Sequence, residues 1–401
     1  MRYLILIFLA FAEANVQSQN LRQLTVEQWR EDVQFLKSEI EKNHISPFDH
    51  LDRNTWEQNF EAFDKDIATL SYEQRIVRLI SLAASVGDGH TSARPYEFLQ
   101  RYPITLMWFG KELRVIRSTK DNADLRGAIV TKINGTPVDV AIEKVKPLVP
   151  AHESPTFVLG WSEYLLTLDE ILVGTGIKKS GALKLTATTM AKKTITVELT
   201  ASPDVNQKIW AYQPLPLYLS KSDQSPWYDW LPGVDNVLYF NFGRYPEWNQ
   251  MRSFGMGLIQ FIKENDVKKL IVDVRENGGG DFNKGLRLIE ELQKTNINAP
   301  GKVFVVIGRN TFSAGMSNAA HFKTMLGAAL VGERTGARPV GYQENYSFVL
   351  PNSKIPASCA IKKYEFLKED TDGIIPDKEI LPDFNLYKVG RDAAIEWILE
   401  Q

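Results

Sequence analysis

The stretch GRNTFSAGMSNAA, residues 308–320, decides how this chain is read. Five uninterrupted apolar residues, 303–307, run into it, and a string of small residues leads out of it. An apolar run of that length bounded by Gly308 reads as a buried strand, and the small residues after Ser313 read as a close-packed helix. About thirty residues earlier a second apolar run, 270–274, ends in Arg275-Glu276-Asn277 and the triplet Gly278-Gly279-Gly280. Open α/β sheets place their sites at the carboxyl ends of strands. If these strands are neighbours, the glycines lie beside Ser313. Glycine lets a backbone turn sharply and approach a reacting group closely. The N–H groups of Gly278 or Gly279, together with that of Ala314, then form a candidate oxyanion hole. Ser313 also sits where a helix cap would sit, and from spacing alone both readings stand.

The competing motifs fail. GGGDFNKG is not the phosphate-binding G-x-x-x-x-G-K-[ST], and the spacing G-x-G-x-x-G is absent. The elbow G-x-S-x-G fails because Thr311 stands at its first position. A hydroxyl nucleophile needs a base, and the chain has five histidines: His44, His50, His90, His152 and His321. His321 lies two turns along the helix after Ser313, so its side chain does not point back. His44 and His50 flank a helix end and read as capping or surface residues. His90 lies in GDGHTSA, residues 87–93, a glycine turn that carries an imidazole beside Asp88. The scattered histidines and the single cysteine, Cys359, give no metal-ligand pattern, and neither metal nor cofactor is expected.

Composition bounds the rest. With 401 residues, 44% hydrophobic and 24% charged, the chain is long enough for two or three cored domains. A net charge of -2 gives no electrostatic footprint for nucleic acid. Arg2, the apolar residues 4–12 and the following AEANVQSQ read as a secretory signal over residues 1–18, cut near Ala14 or Ser18. A buried N-terminal helix is the other reading. The apolar run is too short to span a bilayer, and no other stretch approaches spanning length. The product is expected to be exported, periplasmic or extracellular, and to rely on core packing, since one cysteine permits no internal disulfide.

Along the chain, Val26, Trp29, Val33, Leu36 and Ile40 mark one helix face, with Thr25 and Gln28 as a capping box. Trp56, Phe60, Phe63, Ile67 and Leu70 mark a second helix. Ile76, Leu79, Ile80 and Ala83 mark a third, opened by Ser71 and Gln74. Strand-like runs at 104–108, 113–117, 128–133 and 194–199, with the turn Asn134-Gly135, make a small β-rich module. A helix is expected over 141–145 and another over 157–172. Residues 202–233 read as loop, and Trp227, Tyr228 and Trp230 within it either line an apolar groove or pack a domain boundary. From 237 on, apolar strands alternate with helices, the pattern of a covered, largely parallel sheet. Two exposed strands, 346–350 and 355–362, and a last helix, 393–399, complete the α/β chain.

In GDGHT (87–91), LIVDVRENGGG (270–280), TFSAG (311–315), VGERTG (331–336) and GIIPD (373–377) the chain resembles the S41 serine peptidases, the C-terminal processing and tricorn-core group. The resemblance implies a ClpP/crotonase-like α/β catalytic core. It also implies that LRGAIVTKINGTPV, residues 125–138, closes a PDZ-like module. The implied divisions are a helical region over 20–98, the PDZ-like domain over 99–200 and the peptidase core over 201–401. Family members of the Ser–Lys type carry a lysine where this chain has Arg338 in GERTGARPVG. Arginine stays protonated and cannot act as a base. The resemblance therefore implies the histidine-using type, with His90 as base for Ser313 and with Asp370 or Glu369 orienting the imidazole. Asp88, Asp273, Arg275, Asn277 and Arg338 are then supporting residues. The expected activity is hydrolysis of a peptide or protein substrate through an acyl-enzyme. A peptide-binding protein with a weak or lost site and a non-peptidase serine esterase are the alternatives. Substrate preference and oligomeric state are left open by the sequence.

Overall fold

The computed structural model describes residues 21–202 and 208–401. The signal-peptide expectation, residues 1–18, lies outside them. The chain folds into two compact units that are not sequential. The first takes the described residues up to His152, Trp161–Ala211 and Tyr342–Lys363; the second takes Glu153–Gly160, Tyr212–Gly341 and Tyr364–Gln401. The linear division at residue 200 therefore differs from the compact units. Tyr342–Lys363 belongs with the N-terminal segments, because its strand supplies their sheet partner.

The first unit opens with helices Val26–Asn43, Arg53–Asp66 and Tyr72–Ala84. Both expected capping boxes form: Thr25 accepts from the Gln28 N–H and Ser71 from the Gln74 N–H, with each glutamine side chain returning to its cap. The apolar stripes are inside, and Trp29, Leu36, Ile40, Trp56 and Ile67 lose essentially all solvent contact. Strands Ile104–Phe109, Glu112–Ser118, Ile129–Ile133, Leu183–Thr188 and Thr194–Leu199 then follow one another across an antiparallel sheet. Asn134 and Gly135 both take positive φ, the conformation a tight turn there demands. Helix Val138–Val145 follows it. The segment expected as one helix over 157–172 is two, Pro155–Leu165 and Asp169–Gly174. A further small sheet joins Ser92–Ala93 to Pro356–Glu365, antiparallel, with Val340–Val349 on the far side.

The second unit is built on a six-stranded sheet. Trp227–Trp230, Val237–Asn241, Lys269–Asp273, Val303–Ile307, Ala329–Gly332 and Lys378–Glu379 lie side by side in that order. Every pairing is parallel except the first. Every residue of Val237–Asn241 and Val303–Ile307 is buried, as two-sided cover requires. Leu238, Phe240, Leu270, Val272, Val303 and Val305 face helices Trp248–Glu264, Phe282–Leu292 and Ala314–Leu326. Val237, Tyr239, Ile271, Phe304 and Val306 face the C-terminal helix Ala393–Leu399.

Trp227–Trp230, expected as loop, is the antiparallel edge strand of this sheet. Its rings are committed to packing. Trp227 meets Tyr239, Tyr228 meets Phe254 and Phe261, and Trp230 meets Phe261. That favours the packing alternative over a substrate groove. Surrounding prolines hid the strand, since proline signals loops and the run is only four residues long. Among the described residues no helix is long and apolar enough to cross a membrane.

Candidate active site

Ser313 sits between the strand Val303–Ile307 and the helix Ala314–Leu326, at φ 48° and ψ -124°. This is a backbone conformation that L-residues rarely adopt, at a cost of roughly 1–3 kcal/mol. Its side chain makes no capping hydrogen bond, so the helix-cap reading fails. The strain is imposed by the residues just before it. The buried Thr311 hydroxyl donates to the Val274 carbonyl at 2.9 Å and accepts from the Gly308 N–H at 3.0 Å. The Phe312 N–H donates to the Asn277 carbonyl at 2.9 Å, and the Gly336 N–H to the Thr311 carbonyl at 3.1 Å. The Phe312 ring stacks on Phe157 with centroids 4.8 Å apart. After Ser313, the Ser317 N–H and hydroxyl both donate to its carbonyl.

The glycine triplet lies against this junction, as the neighbouring strands require. Gly279 has φ 119°, and a Cβ there would stand 2.7 Å from Ser313 Cβ and 3.2 Å from its Oγ. Only glycine fits. Gly278 has open space around the same position. The expectation that Gly279 supplies an oxyanion donor needs correction. Its N–H already donates to Asn277 Oδ1 at 3.0 Å. Of the expected donors, Gly278 and Ala314 remain. Ala314 opens its helix, where the first N–H groups have no acceptor within the helix. Asn277 is fully buried and anchors the turn from its other end, Nδ2 donating to the Phe242 carbonyl at 2.7 Å.

Asp273 and Arg275 hold the strand end. The buried Asp273 accepts from the Tyr239 hydroxyl at 2.8 Å and from Arg275 at 2.7 Å, while Arg275 also reaches Asp392 at 2.5 Å and lies over Tyr218. Burial works against the Arg275 charge, but the two carboxylates outweigh it and raise its pKa further. Asp392 was not foreseen, being 117 residues away; its signal was its place as cap of the last helix. Two other unforeseen supports are Tyr245, whose hydroxyl donates to the Ala314 carbonyl, and the buried bidentate pair Arg309–Glu333 at 2.6 and 2.9 Å. Glu333 had a signal in VGERTG, a charge placed directly after an apolar strand.

The second turn, in the other unit, carries His90. Asp88 Oδ1 accepts the His90 N–H at 2.9 Å, and the His90 carbonyl accepts from the Ser358 hydroxyl at 2.9 Å. Strand Ser92–Ala93 continues the turn into its pairing with Ser358 and Ala357. The His90 side chain is buried, and burial pushes its pKa down to about 4 against the opposing influence of Asp88 and a hydrogen bond with the Tyr342 backbone. The imidazole is therefore neutral at pH 7, the form that accepts a proton.

Three further histidines gather around this turn, which the sequence did not suggest. His44, expected as a capping or surface residue, does close the helix Val26–Asn43 but is buried, with Nε2 at 3.0 Å from Asp88 Oδ2. His50 and His152 stack at 3.9 Å, and a Cβ on Gly87 would stand 2.9 Å from His152. Burial raises the cost of the Asp88 charge, but the bond from His44 and the Thr91 hydroxyl more than compensate and lower its pKa.

The expected acidic partners of His90 behave differently. Asp370 is exposed and its carboxylate is taken by Arg338 at 2.7 Å; Glu369 is exposed as well. Asp370 and His90 belong to different units, and the partner Asp370 has within its own is the half-buried guanidinium of Arg338. The carboxylate that meets the histidine turn is Asp88. Among the described residues no group of histidine, cysteine and acidic side chains could hold a metal ion.

No protein-family model matches the sequence, and no curated protein does. Solved structures define the class: the fold is the mixed α/β fold of the S41-type proteases. The particular likeness is to mature CPAF complexed with lactacystin, at a TM-score of 0.63 and 13% identity over 94% of this chain and 97% of that one. Mature CPAF in another crystal structure gives 0.61 and 13% over 93% and 96%. These structural neighbours are S41-family serine peptidases. At such identity the likeness speaks to fold, and the chemistry must be argued from the residues.

Proposed function

We propose that the protein is a serine-type peptidase in which Ser313 attacks a peptide carbonyl and His90 is its base. The observation that carries this reading is the strained, uncapped Ser313 packed against Gly279 at the carboxyl ends of two adjacent parallel strands. A cap residue has no need of a positive φ, whereas a hydroxyl that must stand clear of its own helix does. In the proposed cycle His90, neutral at pH 7, takes the Ser313 proton as Oγ bonds to the carbonyl carbon. The N–H groups of Ala314 and Gly278 receive the oxyanion. His90 returns the proton to the leaving amine, and water then hydrolyses the acyl-enzyme. Arg338, bonded to Asp370, stays cationic and takes no proton.

Peptide hydrolysis by wild type, Ser313→Ala and His90→Ala tests the proposal. Each substitution is expected to lower kcat by about 10³-fold or more. Undiminished turnover in either variant overturns its assignment, and peptide binding without turnover by the wild type points to the inactive-site alternative. Lactacystin, bound by mature CPAF, is the first inhibitor to try. The reading includes export through residues 1–18, to the periplasm or beyond. N-terminal sequencing of the mature protein checks it: a chain still beginning at Met1 sinks it. We further propose that the β-rich module is PDZ-like, and assign it no ligand.

A further inference from the structure

We propose that His44 is a positioning residue for His90, acting through Asp88; this rests on the reading of His90 as the base. The surroundings of His44 fix its tautomer. His44 ends the helix Val26–Asn43, its N–H donating to the Ile40 carbonyl at 2.9 Å. Its Nδ1 lies 2.9 Å from the Ser46 N–H. A backbone N–H can only donate, so Nδ1 is the acceptor and carries no proton. The proton of the neutral ring is therefore on Nε2, which points at Asp88 Oδ2 at 3.0 Å. The other oxygen of the same carboxylate accepts the His90 N–H at 2.9 Å. The chain of bonds runs from a helix end, through one neutral imidazole and one buried carboxylate, to the backbone of the proposed base.

Each link is sheltered. The His44 side chain has no solvent exposure and that of Asp88 has 3%. The His44 ring is also braced by Tyr342 at 5.2 Å, and Tyr342 donates its hydroxyl to Asp49. The titratable groups around Asp88 are His44, His90, His50, Tyr342 and Cys359. None of these carries a permanent positive charge. The bond from His44 is accordingly the main support for the Asp88 charge, and Asp88 in turn supports positive charge on His90. Two consequences follow for a base that must become an imidazolium in mid-reaction. His44 fixes the turn that presents it, and keeps ionised the carboxylate that steadies it.

The experiment has two arms. Long-range ¹H–¹⁵N spectra of the wild-type imidazoles report the His44 tautomer without any need for activity. The proton is expected on Nε2, and a proton on Nδ1 overturns the inference. The second arm compares His44→Phe and His44→Gln, the latter offering an amide N–H near the place of Nε2. Phe is expected to lower kcat about tenfold with KM within twofold. It should also move the acid limb of the kcat profile downward by about one pH unit, because an Asp88 that has lost its donor supports the His90 imidazolium less. Gln is expected to recover kcat to within about threefold and to return the acid limb. If Phe fails to fold, the Gln variant and the tautomer decide. Wild-type kcat and an unshifted acid limb in His44→Phe, with His90→Ala inactive, overturn this inference alone. Activity retained in His90→Ala overturns the reading beneath it.

Discussion

The turn that lies against Ser313 and the turn that carries His90 use the same device with different chemistry. In each, an Asx side-chain oxygen accepts the backbone N–H two residues on: Asn277 from Gly279 at 3.0 Å, Asp88 from His90 at 2.9 Å. Both side chains are buried and both are anchored again from their far end, Asn277 to the Phe242 carbonyl and Asp88 by His44. What differs is charge. Beside the serine, where the proposed reaction builds an oxyanion, the side chain is a neutral amide. Beside the histidine, where it builds a cation, the side chain is a carboxylate. Turn geometry thus calls for an Asx residue, Asn or Asp, and the sign of the charge to come selects between them.

The largest effect expected comes from probing how closely the serine turn is packed. Gly279→Ala forces a Cβ against Ser313 in a left-handed conformation and is expected to destabilise the fold by about 4 kcal/mol. Gly278→Ala, in open space, should cost under about 1 kcal/mol. Denaturant midpoints of the pair check this, and equal losses would remove the packing argument.

Next comes the pH dependence of the histidine turn. The His90 pKa is about 4 in the folded chain against 6.5 as its ordinary value. Between those values the unfolded chain holds a proton that the folded chain does not. Stability is therefore complete above about pH 6.5 and declines as pH falls towards 4, by about 3 kcal/mol. Urea unfolding of wild type and His90→Asn at pH 7 and pH 4.5 isolates this contribution. A variant with the same acid sensitivity as wild type would contradict it.

Exchanging the charges is a smaller but more pointed test. Asn277→Asp, which sets a negative charge beside the oxyanion, is expected to lower kcat/KM about 100-fold. Asp88→Asn keeps the turn but removes the charge and should cost about tenfold. Peptide turnover measures both. If the two variants lose activity equally, charge does not distinguish the turns.

Much of the second unit was legible because its information is local. Residues 303–307 are an uninterrupted apolar run and 270–274 one broken only by Asp273, the signature of a buried parallel strand. Ser313, the glycine triplet and GDGHT declare themselves within a few residues. The strain at Ser313 was not legible, because serine carries no preference for positive φ. Nor was the partnership of His44 with Asp88, since 44 residues separate them and a histidine at a helix end has an ordinary surface reading. The engagement of the Gly279 N–H by Asn277 is a matter of side-chain rotamer, which spacing does not encode. Asp370 drew attention through its distance from GIIPD, whereas its carboxylate is set by the reach of Arg338.

The strand Pro356–Glu365, which pairs with Ser92–Ala93 and supplies the hydroxyl that caps the His90 carbonyl, has a consequence in time. His90 and Ser358 are 268 residues apart. A ribosome adding about 5–20 residues per second needs on the order of tens of seconds to cover that distance. Throughout that interval the nascent chain carries a histidine turn without the strand that completes it. The proposed base is thus finished among the last parts of the molecule, after nearly every segment that an early-acting hydrolase could damage has been made and has had time to fold.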